Sequence, residues 1–174
     1  MNQAVEAMWA SKLGLIRYDA ELVNDLLQLM VRSEADYTIF FRRLSAIAAE
    51  PAAEIHEPLA ALKESFYQPS SAELDGEWSQ WLKRWCDQIT ANGDPHATAA
   101  AMQQLNPAIT WREWLIAPAY EQAAQGDTSL IQELQAVFRH PYEALSPELA
   151  ATYDRLKPRE FFNAGGVSHY SCSS

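Results

Sequence analysis

SAELDGEWSQWLKRWCDQITAN, residues 71–92, decides the fold. Trp78, Trp81 and Trp85 stand at i, i+3 and i+7, and Leu82 and Ile89 extend the same face, so the segment reads as one long amphipathic helix. A tryptophan stripe can stack ligands, but aromatic residues at helical spacing more often pack against neighbouring helices, and the core reading is preferred here. Cys86 lies beside the stripe and reads as a buried, inert thiol.

Helical periodicity extends in both directions from this segment. Asp19 reads as an N-cap before Leu22, Val23, Leu26, Leu27 and Met30. Ser33 is expected to cap the next helix, through Phe40, Phe41 and Leu44, which must end before Pro51. A shorter helix follows around Leu59, Leu62 and Phe66, closed by Pro69-Ser70-Ser71. Ser70 with Glu73 has the spacing of a capping box. Asp94-Pro95 places a capping side chain before proline at the first helical position. Thr110 with Glu113 is a second box, opening a helix that Pro118 should kink or shorten. Gly126-Asp127 reads as a stop followed by a restart, before a face of Leu130, Ile131, Leu134, Val137 and Phe138.

Beyond Pro141 the pattern thins, with one short helix near Glu148 to Arg155 and Pro147, Pro158, Gly165 and Gly166 as punctuation. No alternating run supports a strand. The expected fold is all-α, an irregular bundle of about seven or eight helices, with a helical domain over 1–145 and a mobile extended tail over 146–174.

Composition narrows the function classes. A chain of 174 residues with 48% hydrophobic content and 6 tryptophans can build a core. Its 13 basic and 23 acidic residues give a net charge of −10, which argues against binding nucleic acid or an anionic membrane. No leader-like or membrane-spanning stretch is present, and the expected location is the cytoplasm. His56, His96, His140 and His169 do not cluster with cysteine at metal-site spacing, so no metal site is expected.

The tail Ser168-His169-Tyr170-Ser171-Cys172-Ser173-Ser174 places a cysteine among small polar residues, where it has no core to fill. This ending resembles the C-terminus of the SelO (YdiU) family, some of whose members carry selenocysteine at the position of Cys172. Four further segments resemble that family in order. They are Lys12-Leu13-Gly14-Leu15; Asp36-Tyr37-Thr38 with Phe40-Phe41-Arg42; Asn106-Pro107 with Arg112 and Gly126-Asp127; and Pro141-Tyr142. The chain departs from the family pattern at Glu113 and Pro118.

The resemblance covers nearly all of this chain but only the C-terminal portion of the longer family sequence. It implies a protein adenylyltransferase with a kinase-like fold, using ATP and Mg²⁺ to transfer AMP to protein hydroxyl groups. It implies further that Cys172 is redox-regulatory rather than catalytic, acting through a bond to the kinase-like core. No glycine-rich loop, Asp-Phe-Gly or catalytic-loop motif occurs here, so no catalytic, cofactor-binding or metal residue is assigned. The expected partners are the kinase-like N-terminal domain and the enzyme's protein substrates, and the chain alone should be inactive. The alternative is a free-standing helical module that binds a protein partner. The segment around Met8 and Trp9 reads as starting inside a structure, which predicts an exposed apolar patch near the N-terminus.

Overall fold

The structure is a computed structural model that describes residues 2–51 and 55–162. Among these residues there are nine α-helices, one 3₁₀ turn and no β-sheet; an isolated antiparallel bridge joins Ala35 and Phe66. The all-α expectation holds, with the helix count close to that expected. Two compact units divide at Pro107/Ala108, a break the sequence reading did not mark.

The first unit contains α1 (Gln3–Lys12), α2 (Ala20–Arg32), α3 (Tyr37–Ile47), α4 (His56–Lys63), α5 (Ala72–Thr90) and α6 (Pro95–Leu105). Helix α5 is its axis, packing against α2, α4 and α6. Trp78, Trp81, Leu82, Trp85 and Ile89 are fully buried among Leu22 and Leu26 of α2, Phe40 and Leu44 of α3, Leu62 of α4 and Met102 of α6. The tryptophan stripe is core. Each indole N–H also finds an acceptor: Trp78 donates to Ser33 Oγ, Trp81 to the Leu22 carbonyl and Trp85 to the Leu13 carbonyl, each at 2.9 Å. A buried indole thus fills volume and satisfies its one donor at the same time.

The helix starts follow the local capping signals at some positions and depart from them at others. Asp19 and Asp94 accept the Leu22 and Ala97 amides as expected. Ser33 does not cap α3: it is the buried C-cap residue of α2, its hydroxyl taken by Trp78, and Asp36 caps α3 through the Ile39 amide. Nor is Ser70 the cap of α5, since Ser71 accepts the Leu74 amide. Helix α4 stops at Lys63, short of Phe66.

Two helices of this unit end in Schellman turns. In α1 the Leu15 amide bonds the Ala10 carbonyl and the Gly14 amide bonds that of Ser11, with Gly14 at φ 68°. A Cβ on Gly14 would stand 2.7 Å from both Met102 Sδ and Thr98 Cγ2. Gly14→Ala should therefore cost about 2 kcal/mol, left-handed strain plus overpacking, read as a lower urea midpoint. The same turn ends α2, where Ala35 bonds Met30 and Glu34 bonds Val31, but its left-handed residue is Glu34 at φ 48°. Glu34→Gly is expected to raise stability by about 0.5–1 kcal/mol, because glycine adopts this conformation without steric cost. A chemical denaturation curve showing no gain would contradict this.

The second unit, from Ala108 on, holds α7 (Glu113–Ala124), α8 (Ser129–Phe138), α9 (Pro147–Tyr153) and the 3₁₀ turn Arg159–Phe161. Its core joins Ile109, Trp114, Leu115 and Ala119 to Leu134, Val137 and Tyr153, with Leu130, Ile131 and Phe138 of α8 packed around it. The α8 face is the one expected. Thr110 does not stand at the N-cap of α7: Glu113 is the first helical residue, and Arg112 occupies the N-cap position. Helix α7 runs past Pro118 to Ala124. It ends in a third Schellman turn, Asp127 to Gln122 and Gly126 to Ala123, with Gly126 at φ 94°. Asp127 then accepts the Ser129 amide at 2.9 Å, one position earlier than the N-cap Thr128.

Candidate functional site

Three of the segments singled out in sequence meet in the first unit. Pro107 disfavours helical backbone at the residue before it. Asn106 is accordingly extended, at φ −106° and ψ 100°, and closes α6 with its amide still bonded to the Met102 carbonyl. That turn delivers a fully buried side-chain amide to the ends of α1 and α3. Asn106 Nδ2 donates to the Lys12 carbonyl at 3.0 Å and to Ser45 Oγ at 2.9 Å, and Asn106 Oδ1 accepts from Lys12 Nζ at 2.6 Å. Ser45 passes the chain on, donating to the Phe41 carbonyl at 2.7 Å.

The aromatic residues of α3 complete the enclosure. Lys12 Nζ lies 4.1 Å from the centroid of the Phe41 ring and 4.8 Å from that of Tyr37, within cation–π range of both. Arg42 reaches the other way, donating to the carbonyls of Gln103 at 3.2 Å and Asn106 at 3.3 Å. A cation at the C-terminus of α6 satisfies carbonyls that have no helical partner and complements the helix dipole. The carbonyls that end α1 are matched in turn: Lys12 by Asn106, Leu13 by Trp85, and Gly14 by Asn92 Nδ2 at 2.6 Å. The arrangement joins the ends of α1, α3 and α6 through polar groups whose bonds are made within the unit.

Burial lowers the Lys12 pKa from 10.5 to about 8. Since the folded value is depressed, the unfolded chain holds more protons between about pH 8 and 10.5, and folding gains stability as pH rises through that window. Cys86 works in the opposite sense. Desolvation, with Asp87 adding to it, pushes its thiol from 9.0 up to about 11, a contribution lost as pH passes from 9 to 11. The effect of Lys12 is therefore expected in the difference between wild type and Lys12→Met: the wild type should gain on the variant between pH 8 and 10.5 in urea midpoints. A constant difference would count against it.

Cys172, the residue expected to be redox-regulatory, lies outside the described residues. Cys86 is buried, with a pKa that disfavours thiolate, as its inert reading requires. Arg112 donates to the Arg155 carbonyl at 3.5 Å, and Pro141 accepts the Ala108 amide at 2.7 Å, so both segments serve the second unit. The Lys12–Asn106 junction was not read from sequence as a site. Its signal was there in outline: Lys12, Arg42 and Asn106 are polar residues of the segments that carry the resemblance.

Fold and junction together define a helical scaffold whose distinguishing residues hold its own helices to one another. The sequence pattern of the family described as protein adenylyltransferase SelO matches residues 1–139, and the chain belongs to that family. It is 34% identical, over 99% of its length, to the protein nucleotidyltransferase YdiU of Tolumonas auensis. Relatives of the same name from Xanthomonas axonopodis pv. citri and Methylobacillus flagellatus are 35% and 33% identical over 95% and 99% of the chain. In each case the chain spans about a third of the relative's length, 33%, 32% and 33% respectively. No helix among the described residues is long and apolar enough to cross a membrane.

Proposed function

We propose that this chain is the helical C-terminal part of a SelO-type protein adenylyltransferase. It supports a kinase-like part that transfers AMP from ATP to protein hydroxyl groups, and it has no transfer activity alone. The observation that carries this reading is the junction: Lys12, Arg42 and Asn106 come from the family-like segments and bond one another and helix ends, and the Tyr37 and Phe41 rings flank Lys12. Residues used in that way stabilise a scaffold. ATP and Mg²⁺ would be held by the kinase-like part, and the protein would act in the cytoplasm. Cys172 would supply a redox-regulatory thiol, so that Cys172→Ser makes transfer insensitive to thiol reductants.

The test exchanges the matching third of the Tolumonas auensis relative for this chain and follows label from ATP carrying a labelled α-phosphate, with Mg²⁺ present and the intact relative as reference. Transfer by the chimera but not by the chain alone is the expected result. Transfer by the chain alone, or a folded chimera that stays inactive beside an active reference, would sink the proposal.

A further inference from the structure

We propose that the flank of α1 carrying Val5, Met8 and Trp9, continued by Tyr37 of α3, is the surface on which the nucleotidyltransferase part of the protein docks. This rests on the functional reading above and names the contact it requires. Val5, Met8, Trp9 and Lys12 recur at i, i+3, i+4 and i+7, so they share one face of the helix. Val5 is 38% exposed, Met8 46% and Tyr37 49%. Trp9 is partly buried, its ring 6.1 Å from that of Phe41, which also holds Tyr37 at 4.7 Å. Lys12, over the Tyr37 and Phe41 rings, joins the two helices at one end of this strip.

Helix α1 is held at its C-terminal end but buries few of its own side chains within its unit. Its single buried residue is Ala10, whereas α2 and α3 each bury five. A segment of ten residues is shorter than the roughly 12–15 that sustain a helix in water even in favourable sequences, so its helicity depends on packing. Yet the outward strip is Val, Met, Trp and Tyr, of which the last three are enriched at the centres of protein interfaces.

The occupant follows from the family match. The matched region begins at residue 1 and so includes α1, which is therefore shared with relatives about three times as long. Those relatives carry a further two thirds of a nucleotidyltransferase beyond the part matched here, and that portion is the occupant proposed for the strip. Covering it would remove the exposed methionine and aromatic surface from water and complete the packing of α1.

In the chimera, a photoreactive benzoylphenylalanine replaces Met8, or for reference the exposed Val31 on α2. Cross-links from position 8 into the nucleotidyltransferase part, well above those from position 31, are expected. Met8→Glu should lower the chimera's melting temperature by about 5 °C and shift that of the isolated chain by less than about 1 °C. Cross-links to a second copy or to residues 163–174, or a yield no higher than at position 31, would overturn the proposal. An inactive chimera that cross-links at position 8 keeps this surface and sinks the AMP-transfer reading; an active one without the cross-link does the reverse. Should the chimera fail to fold, the probe at the aligned position of the intact relative gives the same two outcomes.

Discussion

Replacing Trp85 with alanine is expected to cost about 4–5 kcal/mol of unfolding free energy, near the upper end for a buried large-to-small change. Trp85 is fully buried, stacks on Trp81 with centroids 6.1 Å apart and planes at 7°, and gives its indole N–H to the Leu13 carbonyl at 2.9 Å. Truncation therefore empties the centre of α5 and strips one of the three side-chain donors that close α1. The melting temperature should fall by on the order of 20 °C for a unit of this size, if the variant folds at all. Trp85→Phe separates the two effects. It keeps an aromatic ring but loses the donor, and should cost about 1–3 kcal/mol. A tryptophan-to-alanine loss of under about 2 kcal/mol would mean that the stripe is not packed as described.

Asn106→Ala should lose about 3–4 kcal/mol, although it removes only a few atoms, because each buried group left without its partner costs about 1–3 kcal/mol. The groups that lose this partner are the Lys12 carbonyl, the Ser45 hydroxyl as an acceptor and the Lys12 ammonium. Asn106→Leu, close in volume, should lose nearly as much, since it restores packing but no bond. Recovery by leucine would show that volume matters at this position and the network does not. Lys12→Met combined with Asn106→Ala should cost less than the sum of the single changes, by about 0.5–3 kcal/mol, because the two residues are direct partners. Urea titrations of the four proteins decide it.

The candidate site was less legible than the fold, and the reason lies in sequence separation. Lys12 and Asn106 are 94 residues apart, and nothing near either residue names the other. The Asn106-Pro107 dipeptide announces an extended turn after a helix, and it occurs; that its amide would enter the end of α1 is a matter of how α1, α3 and α6 pack. Hydroxyl caps failed for a related reason. Ser33, Ser70 and Thr110 each had the right residue type near a helix start, but the position at which a chain enters its helix is set by what the first turn packs against. Ser33 went to the Trp78 indole, 45 residues away, and Asp36 took the cap.

Periodicity alone made this an all-α chain, because amphipathic spacing leaves the backbone one regular way to bury Trp78, Trp81 and Trp85 on a common face. Signals complete within a few residues were equally decisive: Asp19, Asp94-Pro95 and Gly126 start or stop helices through bonds to their immediate neighbours. The exposed apolar flank of α1 was already expected from the segment around Met8 and Trp9, whereas tertiary structure alone decided which acceptor each indole found and that Lys12 would sit over two rings of α3. Those outcomes depend on groups brought together from distant parts of the chain, where burial makes every unpaired donor or acceptor costly and the packing of whole helices chooses the partner.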